Sequence, residues 1–400
     1  MLGSTIQQND KRQKMQSTST STQTNSAPES STAHRQQPSS SQTAIVIRHS
    51  FLAHNKLLSS VLCRSDSKVD PPLKSKNGFA LTNPFDVCLV RTLKSEIVQH
   101  YHLLQSCQSK FQEENGNILL MLVADYSNHR VLILTSQGDY LNQVSVGFPH
   151  AICIDETREE EGISFLVTDC GEHVVKRFDL FTGKLLQIIG KGYGSDLGQF
   201  KRPSGLCLDS NTNMLYVTDY DNARIQVFDL HTGDFVKSFG DTSKLLDGPW
   251  GIAIDYHLKH HDPNSSTFTI YVCDSHNHCV RMFDHNGEFV GDAIPYGIDN
   301  QLKNPYHVIV DGNQLLVTDS FHHCVKIFSK HHHHKSTFIS TVGSSLFLYD
   351  EVKPDPNPVS SLKTPSDKIE FHYPMGMALD VFSGRLFIAD CGNHRIQVIS

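Results

Sequence analysis

The 400-residue chain lacks the long apolar runs that would place it in a membrane. No stretch approaches the roughly 18 uninterrupted apolar residues of a membrane-spanning helix. The N-terminal sequence, MLGSTIQQNDKRQKM, also lacks the apolar core of a secretory signal peptide. These absences predict a protein of the cytoplasm without a membrane partner.

The chain also lacks any pair of cysteines in the CxxC spacing, although it contains 10 cysteines. This absence excludes zinc-ribbon, RING and thioredoxin-like motifs. Several cysteines lie in apolar runs such as VCLV, AICID and GLCLD. We therefore expect reduced, buried thiols, which are typical of a reducing compartment.

Basic charge is scarce in most of the chain. Ten Lys or Arg against four Asp or Glu precede Pro84, a net charge of +6, whereas the remainder has 25 against 38, a net charge of −13. Proteins that bind nucleic acid follow its phosphates with Lys and Arg. The acidic part is poorly equipped for this, so the charge distribution disfavours a nucleic-acid partner.

The N-terminal part has little that a folded core would bury. Residues 1–43 contain 27 Ser, Thr, Gln or Asn, which predicts a disordered tail. Residues 44–83 are interpreted as a linker. It includes two apolar segments, Ala44–Arg48 and Leu57–Leu62, that are able to form a short strand.

From residue 84 to residue 400 the chain consists of six repeats. A ten-residue block occurs six times without a gap, for example DYSNHRVLIL, DYDNARIQVF and DCGNHRIQVI. A motif that begins with proline precedes each block, as in PSGLCLD and PWGIAID. Each repeat predicts four short strands, a to d, and six such units predict an all-β, six-bladed propeller.

These motifs resemble the NHL repeat, a family of six-bladed β-propellers. The unit from Gly198 to Gly240 follows the family pattern nearly throughout. Three blades depart from it, because Asp86, Ala151 and His307 stand where the pattern has glycine after the proline. The resemblance implies a monomeric propeller that displays loops to a partner, with no cofactor.

The aspartate that opens each block is interpreted as structural, because a fold needs such a residue in every blade while a site needs it once. We expect each carboxylate to accept backbone N–H bonds from the tight turn that follows. The asparagines of that turn, such as Asn128 and Asn222, are expected to take left-handed backbone conformations. The six aspartates are Asp125, Asp169, Asp219, Asp274, Asp319 and Asp390.

The residue after each motif proline is the best candidate for partner binding. In an a-b-c-d blade, these residues and the ten-residue blocks share one face of the propeller. Exposed aromatic residues and Met on one face mark interaction sites. The candidates are Phe85, His150, Trp250, Tyr306 and Met375.

The resemblance leaves other functions open. Peptidyl-hydroxyglycine amidating lyases are similar propellers with a catalytic zinc held by histidines, for which His150 and His307 are the weak candidates here. A catalytic zinc site of that kind needs three histidines, so we expect neither metal nor enzyme activity. Four consecutive histidines, His331–His334, are interpreted as a low-complexity loop.

Many NHL propellers recruit substrates for ubiquitin ligases, and some bind single-stranded RNA. This chain has no RING motif, so a ligase role requires that a partner supplies the RING. The chain ends directly after strand c of the sixth repeat. Two alternatives follow: an N-terminal segment supplies the last strand and closes the ring, or the chain is truncated with an open edge.

Overall fold

The computed structural model describes residues 80–93, 113–114, 117–156, 162–241, 245–256, 267–297, 301–330, 335–345 and 369–400. The predicted tail (1–43), nearly all of the linker (44–83), the ring-closing segments and His331–His334 lie outside the described residues. In the described part of the chain, no helix is long and apolar enough to cross a membrane.

The described residues form an all-β, six-bladed propeller, as the repeats predict. Four blades are antiparallel four-stranded sheets, blade one has a short fifth strand in addition, and blade six has three strands among the described residues. Blade one comprises Pro84–Leu93, Asn117–Asp125, Arg130–Thr135 and Tyr140–Ser145, with Glu113–Glu114 added beside the second strand. Blade two comprises Pro149–Asp155, Ser164–Asp169, Val174–Asp179 and Leu185–Ile189. Blade three comprises Pro203–Asp209, Met214–Asp219, Arg224–Asp229 and Phe235–Phe239.

The other three blades follow the same order of strands. Blade four comprises Pro249–Tyr256, Phe268–Asp274, Cys279–Asp284 and Phe289–Ile294. Blade five comprises Pro305–Asp311, Gln314–Asp319, Cys324–Ser329 and Thr337–Val342. Blade six comprises Pro374–Asp380, Arg385–Asp390 and Arg395–Ile399, and a short parallel pair, Ser344–Ser345 with Glu370–Phe371, precedes it.

The apolar core lies between the blades. Six clusters of buried residues each combine side chains from two consecutive blades. The cluster that joins blade six to blade one includes Phe387 and Ile396 from one and Val87 and Met121 from the other. Every blade thus buries both faces of its sheet against its two neighbours. Apolar packing between blade six and blade one closes the ring.

Polar contacts also join blade six to blade one. Arg91 forms an ion pair with the buried carboxylate of Asp380, with an N–O distance of 2.7 Å. The backbone N–H of Asn83 donates to Nδ1 of His394 over 3.0 Å. These contacts connect blade one directly to the last blade of the ring.

The turn from strand b to strand c is tight and recurs around the ring. Four of these turns are single-turn 3-10 helices: Tyr126–Asn128, Tyr220–Asn222, Ser320–His322 and Cys391–Asn393. The left-handed residue is the one after the asparagine position, for example His129 and Ala223, and not the asparagine itself. The asparagines therefore do not occupy the left-handed position of the turn, although their residue type would suit it.

Candidate functional site

Strand pairing brings the two repeated motifs to one end of the ring. In every blade the motif proline that starts strand a pairs with the aspartate that ends strand b, as Pro203 does with Asp219. The residue after each proline therefore lies beside the b–c turn. We call this end of the propeller, formed by the d–a connections and the b–c turns, the channel face.

Four of the five residues predicted for partner binding meet at the centre of the channel face. The rings of Phe85 and His150 have centroids 5.0 Å apart, and His150 stacks on Trp250 at 5.0 Å with an interplanar angle of 15°. Tyr306 packs edge-on against Trp250 at 4.5 Å. Residues from blades one, two, four and five thus form one continuous set of rings.

Two further rings belong to this set, and the sequence did not predict them. Tyr126 stacks on Phe85 with centroids 4.1 Å apart, and Tyr220 packs edge-on against Trp250 at 5.0 Å. Both directly follow a repeat aspartate, so their position in the ten-residue block was a signal for the same face. The aromatic cluster, as defined here, comprises Phe85, Tyr126, His150, Tyr220, Trp250 and Tyr306.

The fifth predicted residue, Met375, lies in a different environment. Its side chain is half-buried and packs against the apolar cluster shared by blades one and six. It follows the proline of blade six and so lies on the channel face. Its described packing is with this inter-blade core.

His150 is buried among the rings, with 3% of its surface exposed. Burial lowers the pKa of His150 to about 3, and the nearby Arg202 charge acts in the same direction. Nδ1 of His150 lies 3.4 Å from the hydroxyl of Ser204. His150 is therefore neutral at physiological pH and contributes to the cluster as a flat, uncharged ring.

A small cavity lies beneath the aromatic cluster, in the central channel. Its volume is about 30 Å³, enough for about one water molecule. Its lining includes Asp86 and His307, which replace the glycine of the repeat, together with backbone of neighbouring blades. The carboxylate of Asp86 accepts N–H bonds from Val87 and Ile152, 2.9 and 2.8 Å long.

The donor set in the channel does not fit a catalytic zinc ion. His150 and His307 both line the cavity, and burial lowers the pKa of His307 to about 4. Among the described residues, however, no group of three or more His, Cys, Asp or Glu has an arrangement able to hold a metal ion. Asp86 lines the same cavity and could be a third ligand by type, but these three residues do not form such a group.

The six repeat aspartates fix the loops that carry the aromatic cluster. All six are fully buried, and each accepts the backbone N–H of a residue just ahead of the motif proline. In blade three, Asp219 accepts this bond from Lys201 over 2.7 Å, and also binds the side chains of Asn222 and Arg224.

The bonds expected from the turn backbone occur at one of the six aspartates. Asp169 accepts N–H bonds from Gly171 and Glu172 in the b–c turn. In four of the other blades, the asparagine amide of the turn bonds to the carboxylate instead, as Asn128 does to Asp125 over 2.9 Å. This role explains why those asparagines keep ordinary backbone angles.

Comparison with known proteins agrees with this architecture. The family model described as NHL repeat matches residues 200–228 and 371–399, which lie in blades three and six. Together with the six-bladed arrangement, this match supports an NHL-repeat β-propeller. This fold supports a role as a protein-binding scaffold.

The similar proteins have varied functions. The chain is 24% identical over 292 residues to Protein SUPPRESSOR OF QUENCHING 1, chloroplastic, from Arabidopsis thaliana, covering 69% of this chain and 22% of that protein. It is 26% identical over 108 residues to Probable peptidyl-alpha-hydroxyglycine alpha-amidating lyase pgal-1 from Caenorhabditis elegans, covering 26% of this chain and 29% of that protein. The chain thus spans less than a third of each of these two relatives.

Among solved structures, the chain resembles an auxiliary nutrient binding protein from Bacteroides ovatus. The two are 15% identical, with a TM-score of 0.48 over 84% of this chain and 76% of that chain. A likeness this distant supports no functional assignment.

Proposed function

We propose that this protein is a non-enzymatic scaffold that binds a protein or peptide on the channel face of its propeller. The observation that carries the proposal is the aromatic cluster, in which rings from five blades meet at the mouth of the channel. Aromatic side chains are enriched at the centres of protein interfaces and contribute most of the binding free energy there.

The mode of action that we propose is rigid display. Trp250 and Tyr306 directly follow Pro249 and Pro305, at the start of strands a of blades four and five. Buried aspartates hold the loops ahead of them in place. Since these groups are already ordered before binding, a partner loses little free energy in organising them.

The relative named as an amidating lyase raises the alternative of an enzyme. The channel offers His150, His307 and Asp86, but among the described residues no group of three or more His, Cys, Asp or Glu is arranged to hold a metal ion. We therefore propose a binding function. Metal analysis of the purified protein tests this choice: stoichiometric zinc that is lost in His150→Ala would contradict it.

A role in a ubiquitin ligase pathway would use the same face, with the RING domain supplied by another protein. The identity of the partner distinguishes this role from a simple scaffold. The compartment we propose is the cytoplasm, because the eight cysteines of the described residues are free thiols. Fractionation of cells that express the protein tests the compartment.

The proposal predicts that a partner captured by the wild-type protein is lost in the double variant Trp250→Ala/Tyr306→Ala. The two substitutions remove the centre of the aromatic cluster, so we expect at least about a tenfold loss of affinity. The measurement is a pull-down with quantitative mass spectrometry, with thermal melting to confirm that the variant is folded.

A matched control removes an exposed ring from the opposite end of the propeller. Phe382 lies in the a–b turn of blade six and is 50% exposed, so Phe382→Ala should retain the partner. If a folded double variant retains every partner of the wild type, the channel face is not the binding surface.

A further inference from the structure

We propose that the channel face recognises an acidic group of its peptide partner, and that Arg202 at the edge of the aromatic cluster binds this carboxylate. The carboxylate belongs to an Asp or Glu side chain or to a free C-terminus. This inference rests on the proposed peptide-binding function and adds the chemical class of the ligand.

Arg202 is placed to act together with the aromatic cluster. It directly precedes Pro203 on the channel face, and its guanidinium carbon lies 4.7 Å above the ring centre of Tyr220. Tyr220 in turn contacts Trp250. Stacking on an aromatic face restricts a guanidinium group and leaves its edge free to donate hydrogen bonds.

The guanidinium group retains the capacity to bind a ligand. The side chain of Arg202 is 44% exposed, and its ion pair with Asp221 is long, at 3.4 Å, and lies at the surface. The guanidinium group also bonds to the thiol of Cys170, a weak acceptor. Exposed ion pairs contribute little stability, so a carboxylate that binds with two parallel hydrogen bonds is able to compete with Asp221.

The backbone conformation at Arg202 is one that suits Asn or Gly better than Arg. Its φ is +57°, in the left-handed region. Three other blades have Asn or Gly at this position, residues that tolerate such angles: Asn83, Gly248 and Asn304. In blade six the position is held by Tyr373, which also has a left-handed φ of +52°. Arginine is strained in this conformation, and strained backbone is often found at functional positions.

The contact that Arg202 makes with the preceding blade comes from its backbone and not from its side chain. The N–H of Arg202 donates to Nδ1 of His173 in blade two over 3.1 Å. The same bond is made by Asn304 to His278 and by Asn83 to His394. Because asparagine makes the bond equally well, the guanidinium group of Arg202 is not needed for it.

The local charge favours an anion, although the propeller as a whole is acidic. Burial raises the pKa of Tyr220 and Tyr306, and the Arg202 charge opposes that rise at both phenols, so this charge reaches across the cluster. His150 is neutral at physiological pH. A partner that carries a carboxylate beside an apolar or aromatic side chain would match this combination of charge and rings.

The test uses the full chain and a synthetic library of random short peptides, made once with free and once with amidated C-termini. Bound peptides are sequenced, and their affinities for the wild type and the variants are measured by the fluorescence anisotropy of a dye attached to the N-terminus of each peptide. We expect enrichment of peptides with Asp, Glu or a free C-terminus. Loss of binding in the amidated copy identifies the C-terminal carboxylate as the source.

The informative variant is Arg202→Asn, which removes the charge and suits the left-handed backbone. We expect it to weaken the selected acidic peptides by about tenfold or more, with stability unchanged or slightly raised. Asp221→Asn, which removes the competing carboxylate, should strengthen them. Lys201→Gln is the matched control: it removes a neighbouring positive charge whose ammonium lies over Tyr193, and should change affinity less than about twofold.

The outcomes separate this inference from the proposed function. Selected peptides that require Trp250 and Tyr306 but show no acidic preference, or that bind Arg202→Asn unchanged, would overturn the role of Arg202 and leave the channel face as the binding site. If no selected peptide depends on Trp250 and Tyr306, the proposed function fails, and the role of Arg202 fails with it.

Discussion

Asp86 is a buried carboxylic acid in the wall of the central channel, at a position where three other blades have glycine. Its surface is 4% exposed, and burial raises its pKa from 3.8 to about 7, although the N–H groups of Val87 and Ile152 oppose the rise. A group whose pKa is higher in the folded state binds its proton more tightly there. Asp86 therefore stabilises the fold in its protonated form.

This shift predicts a pH-dependent difference between the wild type and Asp86→Asn. As pH rises from about 4 to 7, the wild type loses free energy of unfolding relative to the variant, by at most about 4 kcal/mol for a shift of roughly 3 units. Urea unfolding of both proteins across this range measures the difference. The buried histidines are present in both proteins and cancel, so a difference that stays constant with pH would show that folding does not raise the pKa of Asp86.

At the scale of the residue, the sequence predicted on which face a side chain lies better than it predicted which residues that side chain contacts. Phe85, His150, Trp250 and Tyr306 were placed on one face because each follows a motif proline. Tyr126 and Tyr220 were missed, because their contacts depend on neighbours in other blades. The asparagine turns were misjudged for the same reason: the acceptor for Asn128 became visible only in the folded blade.

At the scale of the strand, the start of strand a is a point where consecutive blades contact each other closely. The pairing register shifts after the proline in every blade, so each strand a begins with an irregularity. A Cβ atom at Gly376 would overlap the carboxylate of Asp86, and one at Gly251 would lie 2.6 Å from the carbonyl oxygen of Tyr306. Glycine is therefore required at Gly251 and Gly376, where the next blade lies too close for a side chain.

This contact predicts that Gly376→Ala destabilises the propeller by about 1–3 kcal/mol, because the new methyl group overlaps Asp86. Removal of the side chain it meets should restore part of the loss. The free energy of unfolding of Gly376→Ala/Asp86→Gly, compared with both single variants, measures the coupling. Additive single effects would mean that the two positions do not contact each other.

The strands were readily predicted from the sequence, because the same motifs occur in six repeats. Each blade begins at its motif proline and includes the apolar end of its ten-residue block. The contacts between blades were not predictable in this way. The bond from Asn83 to His394 joins residues at opposite ends of the repeat array, and no local pattern indicates such a pair.

At the scale of the whole molecule, the ring brings loops from distant parts of the sequence to one face. Blade six packs against blade one through a shared apolar core and through the ion pair between Arg91 and Asp380. Because Phe85 and Tyr306 lie in blades one and five, the aromatic cluster exists only when the ring is formed. The repeat architecture thus creates the binding face that we propose.

The central claim, that a partner binds the channel face, is tested most directly by hydrogen–deuterium exchange of the protein with and without a bound peptide. We predict protection of the loops at residues 147–150, 199–204, 247–250 and 303–306, and no change in the a–b turns at residues 210–213 and 381–384. Protection confined to those a–b turns or to the outer strands would contradict the account.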